Sequence, residues 1–204
     1  MLPTHEQDAL LSALQARGVE GPCVEIGTAY ARTLIDLLQR CTPPEPRFLV
    51  IDPMTWFPDQ DRKVRDNLTE AGFGPPRVEV LPMTSAAALR RPFPELAFVF
   101  VDGDHSMRGV TTDLQWARRV RAGGVLAFHD YGPGSPGVVA ALDRFLARHR
   151  HYRREALVGT LLVVRKLSES TGAEVTRWDR LRAALGTVFF RLRRSVRKRW
   201  PRRG

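Results

Sequence analysis

Two apolar runs that each stop on acidic or imidazole side chains constrain this chain more than anything else in it. The run at 96–101, LAFVFV, halts at Asp102, and the run at 125–128, VLAF, halts at His129 and Asp130. Between them lies a helical segment that the pair Gly123-Gly124 is expected to end. Strand, helix and strand in this order make a βαβ unit. Parallel strands of that kind place their ligands at their carboxyl ends. Asp102, His129 and Asp130 are therefore expected at one rim, with the rest of the chain building a pocket beside it.

The remaining segments fit around this unit. Residues 4–17 read as an amphipathic helix with Leu10, Leu11 and Leu14 on one face, Thr4 as its cap and Gly18 as its stop. A buried strand at 22–27 ends on Gly27, a helix follows at 31–40, and a second buried strand at 48–51 ends at Asp52. A polar helix at 59–71, a strand at 77–81 and a short helix at 84–90 come next, and a helix at 136–149 follows the central unit. The body finishes with two short runs, 151–157 and 160–164, joined around Gly159; so short a link makes them antiparallel. The expected fold is α/β: a Rossmann-like sheet, mostly parallel and wound on both faces, with a terminal antiparallel hairpin.

Charge is uneven. Of the 32 basic and 22 acidic residues that give the net +10, eleven basic ones and a single acid, Asp179, lie in 177–204. The rest of the chain is close to neutral, so the domains are expected to be a body at 1–167, with an N-terminal helix at 1–19, and a basic extension at 168–204. Cys23 and Cys41 show neither metal nor redox spacing and read as buried thiols of a cytoplasmic protein. The N-terminus lacks the apolar core of a signal peptide, and no stretch reaches the ~18 apolar residues of a membrane span.

The first strand and turn, VEIGTAY, say what the pocket can hold. Gly27 is expected to let a ligand approach the backbone. The pattern G-x-G-x-x-G is absent, and the charge of Glu25 would repel a pyrophosphate. A nicotinamide-dependent oxidoreductase is disfavoured on both counts. Asp52 stands where an acid can accept from ribose hydroxyls. A ligand with a ribose, positive charge and no phosphate is S-adenosylmethionine.

VEIGTAYART, LVIDP, the Met83-Thr84-Ser85 segment, FVDGDHSMRGVTTDL and RAGGVLAFHDY together resemble the class I S-adenosylmethionine-dependent methyltransferases. More narrowly they are similar to a small bacterial family related to cephalosporin and macrolide-sugar O-methyltransferases, over about residues 20–166. The resemblance implies a seven-stranded sheet with its last hairpin antiparallel. It implies Glu25, Gly27 and Thr28 at the amino-acid end of the cofactor, Asp52 on its ribose and Ser85 near its adenine. Ala31 departs from the family pattern, where a glycine is usual, as do Met107 and Arg108, where an aromatic and an acid are common.

Methyl transfer to a hydroxyl needs alignment of the acceptor and removal of its proton. Asp102, His129 and Asp130 can hold a divalent ion, Mg2+ or Mn2+, that lowers the pKa of a bound hydroxyl. The resemblance implies acidic ligands at these positions, with His129 in place of one. The alternative is a metal-free site with His129 as base. Asp104 is expected to organise its loop through backbone N–H groups. His105 reads either as a base or substrate contact, or as a structural partner of the strand ends.

From Trp178 to Trp200, large apolar residues recur at three- and four-residue steps, with arginines on the other faces. Such a helix suits an anionic membrane surface, here the inner face, or packs on the body or on a second subunit. Nucleic acid ranks third. The chain thus reads as an O-methyltransferase of a small molecule or sugar, with a non-catalytic membrane-associated binding module as the competing reading.

Overall fold

A computed structural model describes residues 2–42, 46–170 and 172–199, with side chains in the last helix described as far as Leu192. Seven strands form one sheet: β1 (Cys23–Ile26), β2 (Phe48–Asp52), β3 (Val78–Pro82), β4 (Leu96–Val101), β5 (Val120–Phe128), β6 (Tyr152–Val158) and β7 (Leu161–Lys166). Their order across the sheet is β3-β2-β1-β4-β5-β7-β6. The first five are parallel, and β7 runs antiparallel between β5 and β6. The mostly parallel sheet with its terminal hairpin is as the sequence predicts.

β1, β2 and β4 are buried along their whole length, which is why they read as unbroken apolar runs. Alternate residues of β4 feed two cores. Phe98 and Phe100 join the layer under α1 (Thr4–Gln15), α2 (Arg32–Arg40) and α3 (Gln60–Glu70). Val99 and Val101 join Trp116 and Phe128 under α5 (Met107–Asp113) and α6 (Pro136–Arg148). Each fully buried phenylalanine contributes about 1.5–3 kcal/mol, so the central strands are firmly fixed. In the register Ile26 pairs with Val101 and Val101 with Phe128. The next residues, Gly27, Asp102 and His129, therefore emerge side by side.

Local details depart from the sequence expectation. Gly123-Gly124 does not end a helix: β5 already begins at Val120, and Gly123 sits at φ +89 where the β4–β5 register shifts. The segment after α5 is a 3-10 turn, Leu114–Arg119, and a buried lysine closes it. Lys166 Nζ donates to the carbonyl of Val120 at 2.6 Å and reaches those of Ala117 and Arg118. Thr4 lies inside α1, with Pro3 at the cap position. The short helix α4 (Ser85–Ala88) has the expected cap, the Thr84 hydroxyl accepting from Ala87 N–H at 3.2 Å.

The C-terminal helix α7 (Arg177–Arg199) starts with a reciprocal cap between Thr176 and Asp179. Asp179 also accepts from Arg144 and Arg148 of α6, at 3.2 and 2.7 Å. Further along, Thr187 Oγ1 accepts from Arg108 N–H at 3.0 Å, and Gly186 lies against the sulfur of Met107. α7 thus packs on the body through small residues, Ala183, Gly186 and Thr187. Trp200 and the side chains of Arg193, Arg194, Val196, Arg197 and Lys198 lie outside the described residues. Among the described residues no helix is long and apolar enough to cross a membrane.

Candidate active site

The carboxyl ends of β1, β2 and β4 open into a cavity of about 1790 Å³, lined on one side by α7. β1 lies between β2 and β4, so its crossovers leave in opposite directions, and a doubly wound sheet opens its ligand crevice at that point. A smaller cavity of about 560 Å³ lies among Arg17, Arg47 and Arg91 and contains none of the predicted site residues.

On the β1–β2 side, the buried Glu25 accepts the Thr28 hydroxyl at 2.7 Å. Burial pushes the Glu25 carboxyl up to about 8, against the lowering effect of Thr28, and the charges of Asp102 and Asp52 add to the rise. Asp52 Oδ2 accepts Thr28 N–H at 3.0 Å; Oδ1 accepts Met54 N–H at 2.7 Å and Gln60 Nε2 at 3.3 Å. A carboxylate offers about four acceptor sites, so about one remains for a ligand hydroxyl. Gly27 has φ +83, and a Cβ there would lie 2.5 Å from the carbonyl oxygen of Asp102. The close approach of the turn after β4 by itself demands a glycine here. Ser85 donates to Asp113, whose carboxyl burial pushes up to about 7 against that hydrogen bond.

On the β4–β5 side, two imidazoles and three carboxylates form one chain. His105 Nδ1 lies 2.8 Å from Asp130 Oδ2, and His105 Nε2 lies 3.5 Å from Asp102 Oδ1. The same Asp102 oxygen is 2.9 Å from His129 Nδ1, and His129 Nε2 is 3.0 Å from Glu6 Oε2. Glu6 Oε1 accepts from the N–H and hydroxyl of Thr160, at 2.5 and 3.0 Å. Asp130 turns its carboxylate inward from a left-handed conformation, φ +59, which aspartate tolerates. Asp104 Oδ1 accepts Ser106 N–H at 2.9 Å and shapes the loop, as expected.

The charges support one another. Burial alone would raise Asp102, but hydrogen bonds from His105 and His129 hold it below the usual carboxylate range. The hydrogen bond to Asp102 raises His105, assisted by Asp130. Burial pulls His129 down, and Asp102, Asp130 and Glu6 together more than offset it. One ligand atom from each of Asp102, His129 and Asp130 lies within 4.8 Å of the others. With an ion bound, Nδ1 of His129 would exchange its hydrogen bond to Asp102 for a lone pair on the metal while Nε2–H stays on Glu6, the usual carboxylate–histidine–metal arrangement. The donor set therefore fits a divalent ion.

A family model described as a methyltransferase domain matches residues 24–131, more than half of the chain, from β1 to just past β5. The chain belongs to this methyltransferase family. A comparison with curated proteins finds no match. Solved structures share the fold of the methyltransferase at low identity. A Corynebacterium glutamicum protein is 18% identical with a TM-score of 0.67, over 84% of this chain and 85% of that one. An O-methyltransferase from Bacillus cereus, in complex with SAH, is 20% identical with a TM-score of 0.63, over 81% and 82%. CalS11, a TDP-rhamnose 3'-O-methyltransferase of calicheamicin biosynthesis, is 20% identical with a TM-score of 0.63, over 80% and 81%.

In the methyltransferase, Gly27, Thr28, Asp52, Ser85, Asp102 and His105 line the cavity, with Glu25 buried beneath Thr28. His129 and Asp130 join that wall through Asp102 and His105. Glu6, Gln60 and Asp113 hold site residues and had no part in the sequence reading. Glu6 had a signal: it precedes Leu10 by four residues and Leu14 by eight, on the inward face of α1. Exposed Trp56 reaches the cavity edge, Phe57 stacks on Tyr30, and Trp116 is core.

Proposed function

We propose that this methyltransferase transfers a methyl group from S-adenosylmethionine to a hydroxyl oxygen of a small molecule or sugar. The observation that carries the reading is a single cavity lined by Thr28 and Asp52 at one end and by Asp102 and His105 at the other, with Glu25 bonded behind Thr28 and Asp130 behind His105. S-adenosylmethionine supplies a methyl group already activated on a sulfonium sulfur. Glu25 and Thr28 receive its cationic amino-acid end, Asp52 takes a ribose hydroxyl through Oδ2, and Ser85 borders the adenine. The sugar acceptor named for CalS11 supports the acceptor class.

His105 is the better base of the two histidines. It lines the cavity with 46% of its side chain exposed, whereas His129, at 18%, is shut between Asp102 and Glu6. His105 takes the acceptor's proton, and Asp130 and Asp102 stabilise the imidazolium that results. Asp102, Asp130 and Nδ1 of His129 would hold Mg2+ or Mn2+, with Glu6 orienting the imidazole. Such an ion, when bound, supplies charge that lowers the pKa of a coordinated hydroxyl.

The test is transfer of labelled methyl from S-adenosylmethionine to a panel of sugars and hydroxylated small molecules, with and without chelator. Transfer to oxygen is expected, reduced in His105→Ala by about 10²–10⁴-fold. Methylation confined to nitrogen or carbon acceptors would contradict the reading.

A further inference from the structure

Helix α7 is oriented against the usual rule for an amphipathic helix. It turns its small residues toward α5 and leaves its large apolar ones in solvent. Trp178, Leu185 and Leu192 are 69, 65 and 62% exposed, and Leu181, Val188 and Phe189 are more than half exposed. At 100° per residue these six fall in one stripe, opposite the buried Thr187. A contiguous exposed apolar stripe marks an interaction surface. Exposed arginines flank it on both sides, Arg177 and Arg191 on one and Arg182 on the other.

We infer that this stripe docks the enzyme on an anionic lipid bilayer. The apolar residues enter the interface while the flanking arginines meet the headgroups. Charge selects this occupant. A second copy laid along the same stripe would bring two strongly basic segments together, since 177–204 holds eleven basic residues and one acid. A nucleic acid would match the arginines but leave the leucines and Val188 uncovered. The adjoining face of α7 lines the active-site cavity through Ala184, Thr187, Phe190 and Arg191, and Val188 belongs to both the stripe and the cavity. Docking by the stripe therefore sets the cavity mouth beside the lipid surface.

Co-sedimentation of the full chain with vesicles tests this, without methyl donor or acceptor, so the result is independent of the proposed activity. Vesicles of equimolar phosphatidylcholine and phosphatidylglycerol are expected to bind the protein, and pure phosphatidylcholine vesicles to bind it at least tenfold less. Raised salt should weaken the binding. Leu185→Glu combined with Leu192→Glu should abolish it, while circular dichroism and thermal midpoint stay as in the wild type, since both residues face solvent. Equal sedimentation of the double variant and wild type, or no preference for the anionic vesicles, would overturn the inference. So would a wild-type dimer that becomes monomeric in the double variant without vesicle binding, which would make the stripe a subunit interface.

Discussion

Glu6, in the first turn of α1, holds His129, at the end of β5, through a 3.0 Å contact between Oε2 and Nε2. The two are far apart in the chain, and the contact ties the first helix to the last parallel strand. Thr160 fixes the other oxygen of Glu6, so the carboxylate is held from both sides. If Glu6 sets the tautomer of a metal-binding His129, Glu6→Gln should weaken Mn2+ binding by about 10–100-fold, as the loss of an outer-sphere partner commonly does. Titration of free Mn2+ by paramagnetic resonance measures it. Unchanged affinity in a folded variant would remove Glu6 from the site.

Glu25 links binding to pH. Its carboxyl is raised to about 8 from an ordinary 4.5, so it is largely protonated at neutral pH in the free protein. A cationic ligand end stabilises the ionised form, so S-adenosylmethionine binding at pH 7 should release a proton. Affinity should rise between pH 6 and 8, by at most about tenfold per unit for one proton. Calorimetry in buffers of different ionisation enthalpy reads the proton, and Glu25→Gln should release none.

The same shift affects stability in the opposite direction. Between 4.5 and about 8 the folded state holds a proton on Glu25 that the unfolded state has lost. Stability from this group is therefore highest below 4.5 and declines as pH rises towards 8. Urea unfolding at pH 5.5 and 8 should show a fall that is smaller in Glu25→Gln. An equal fall in both proteins would contradict the assignment.

Gly27→Ala should be among the most damaging single changes. The methyl would meet the Asp102 carbonyl at 2.5 Å and Gly103 Cα at 2.6 Å, from a backbone at φ +83. Strain in that region alone costs about 1–3 kcal/mol, and the clash with the turn after β4 adds to it. A lowered urea midpoint, or loss of soluble protein, is expected; a wild-type midpoint is the opposite result.

Cys23 should be inert. Burial raises its thiol to about 12, and Cys41 is buried as well. Native protein should resist a thiol reagent at neutral pH, with both groups reacting once it unfolds. Rapid labelling of Cys23 in the folded protein would contradict its burial.

What the sequence disclosed follows from what is local. The apolar runs of β1, β2 and β4 announced buried parallel strands, and their terminal acids announced the rim. The tight link at Gly159 announced the hairpin. Gly123-Gly124 misled because a glycine pair marks a helix stop or a strand bulge equally well, and only the approach of Ala97 from β4 decides. The inward position of Glu6 on α1 was legible, but its partners His129 and Thr160 were not, because they are distant in sequence. The periodicity of α7 showed a two-sided helix but not which side faces the body, and the small residues beside Met107 settle that.

The central claim is that Glu25, Thr28 and Asp52 gather S-adenosylmethionine at the β1–β2 end of the cavity. Calorimetric titration of that compound into the wild-type chain and into Asp52→Ala tests it most directly. The account predicts one saturable site per chain in the wild type and affinity at least tenfold weaker in the variant, a loss of about 1.4 kcal/mol or more. Equal affinity in the two proteins, or no binding to the wild type, would contradict it.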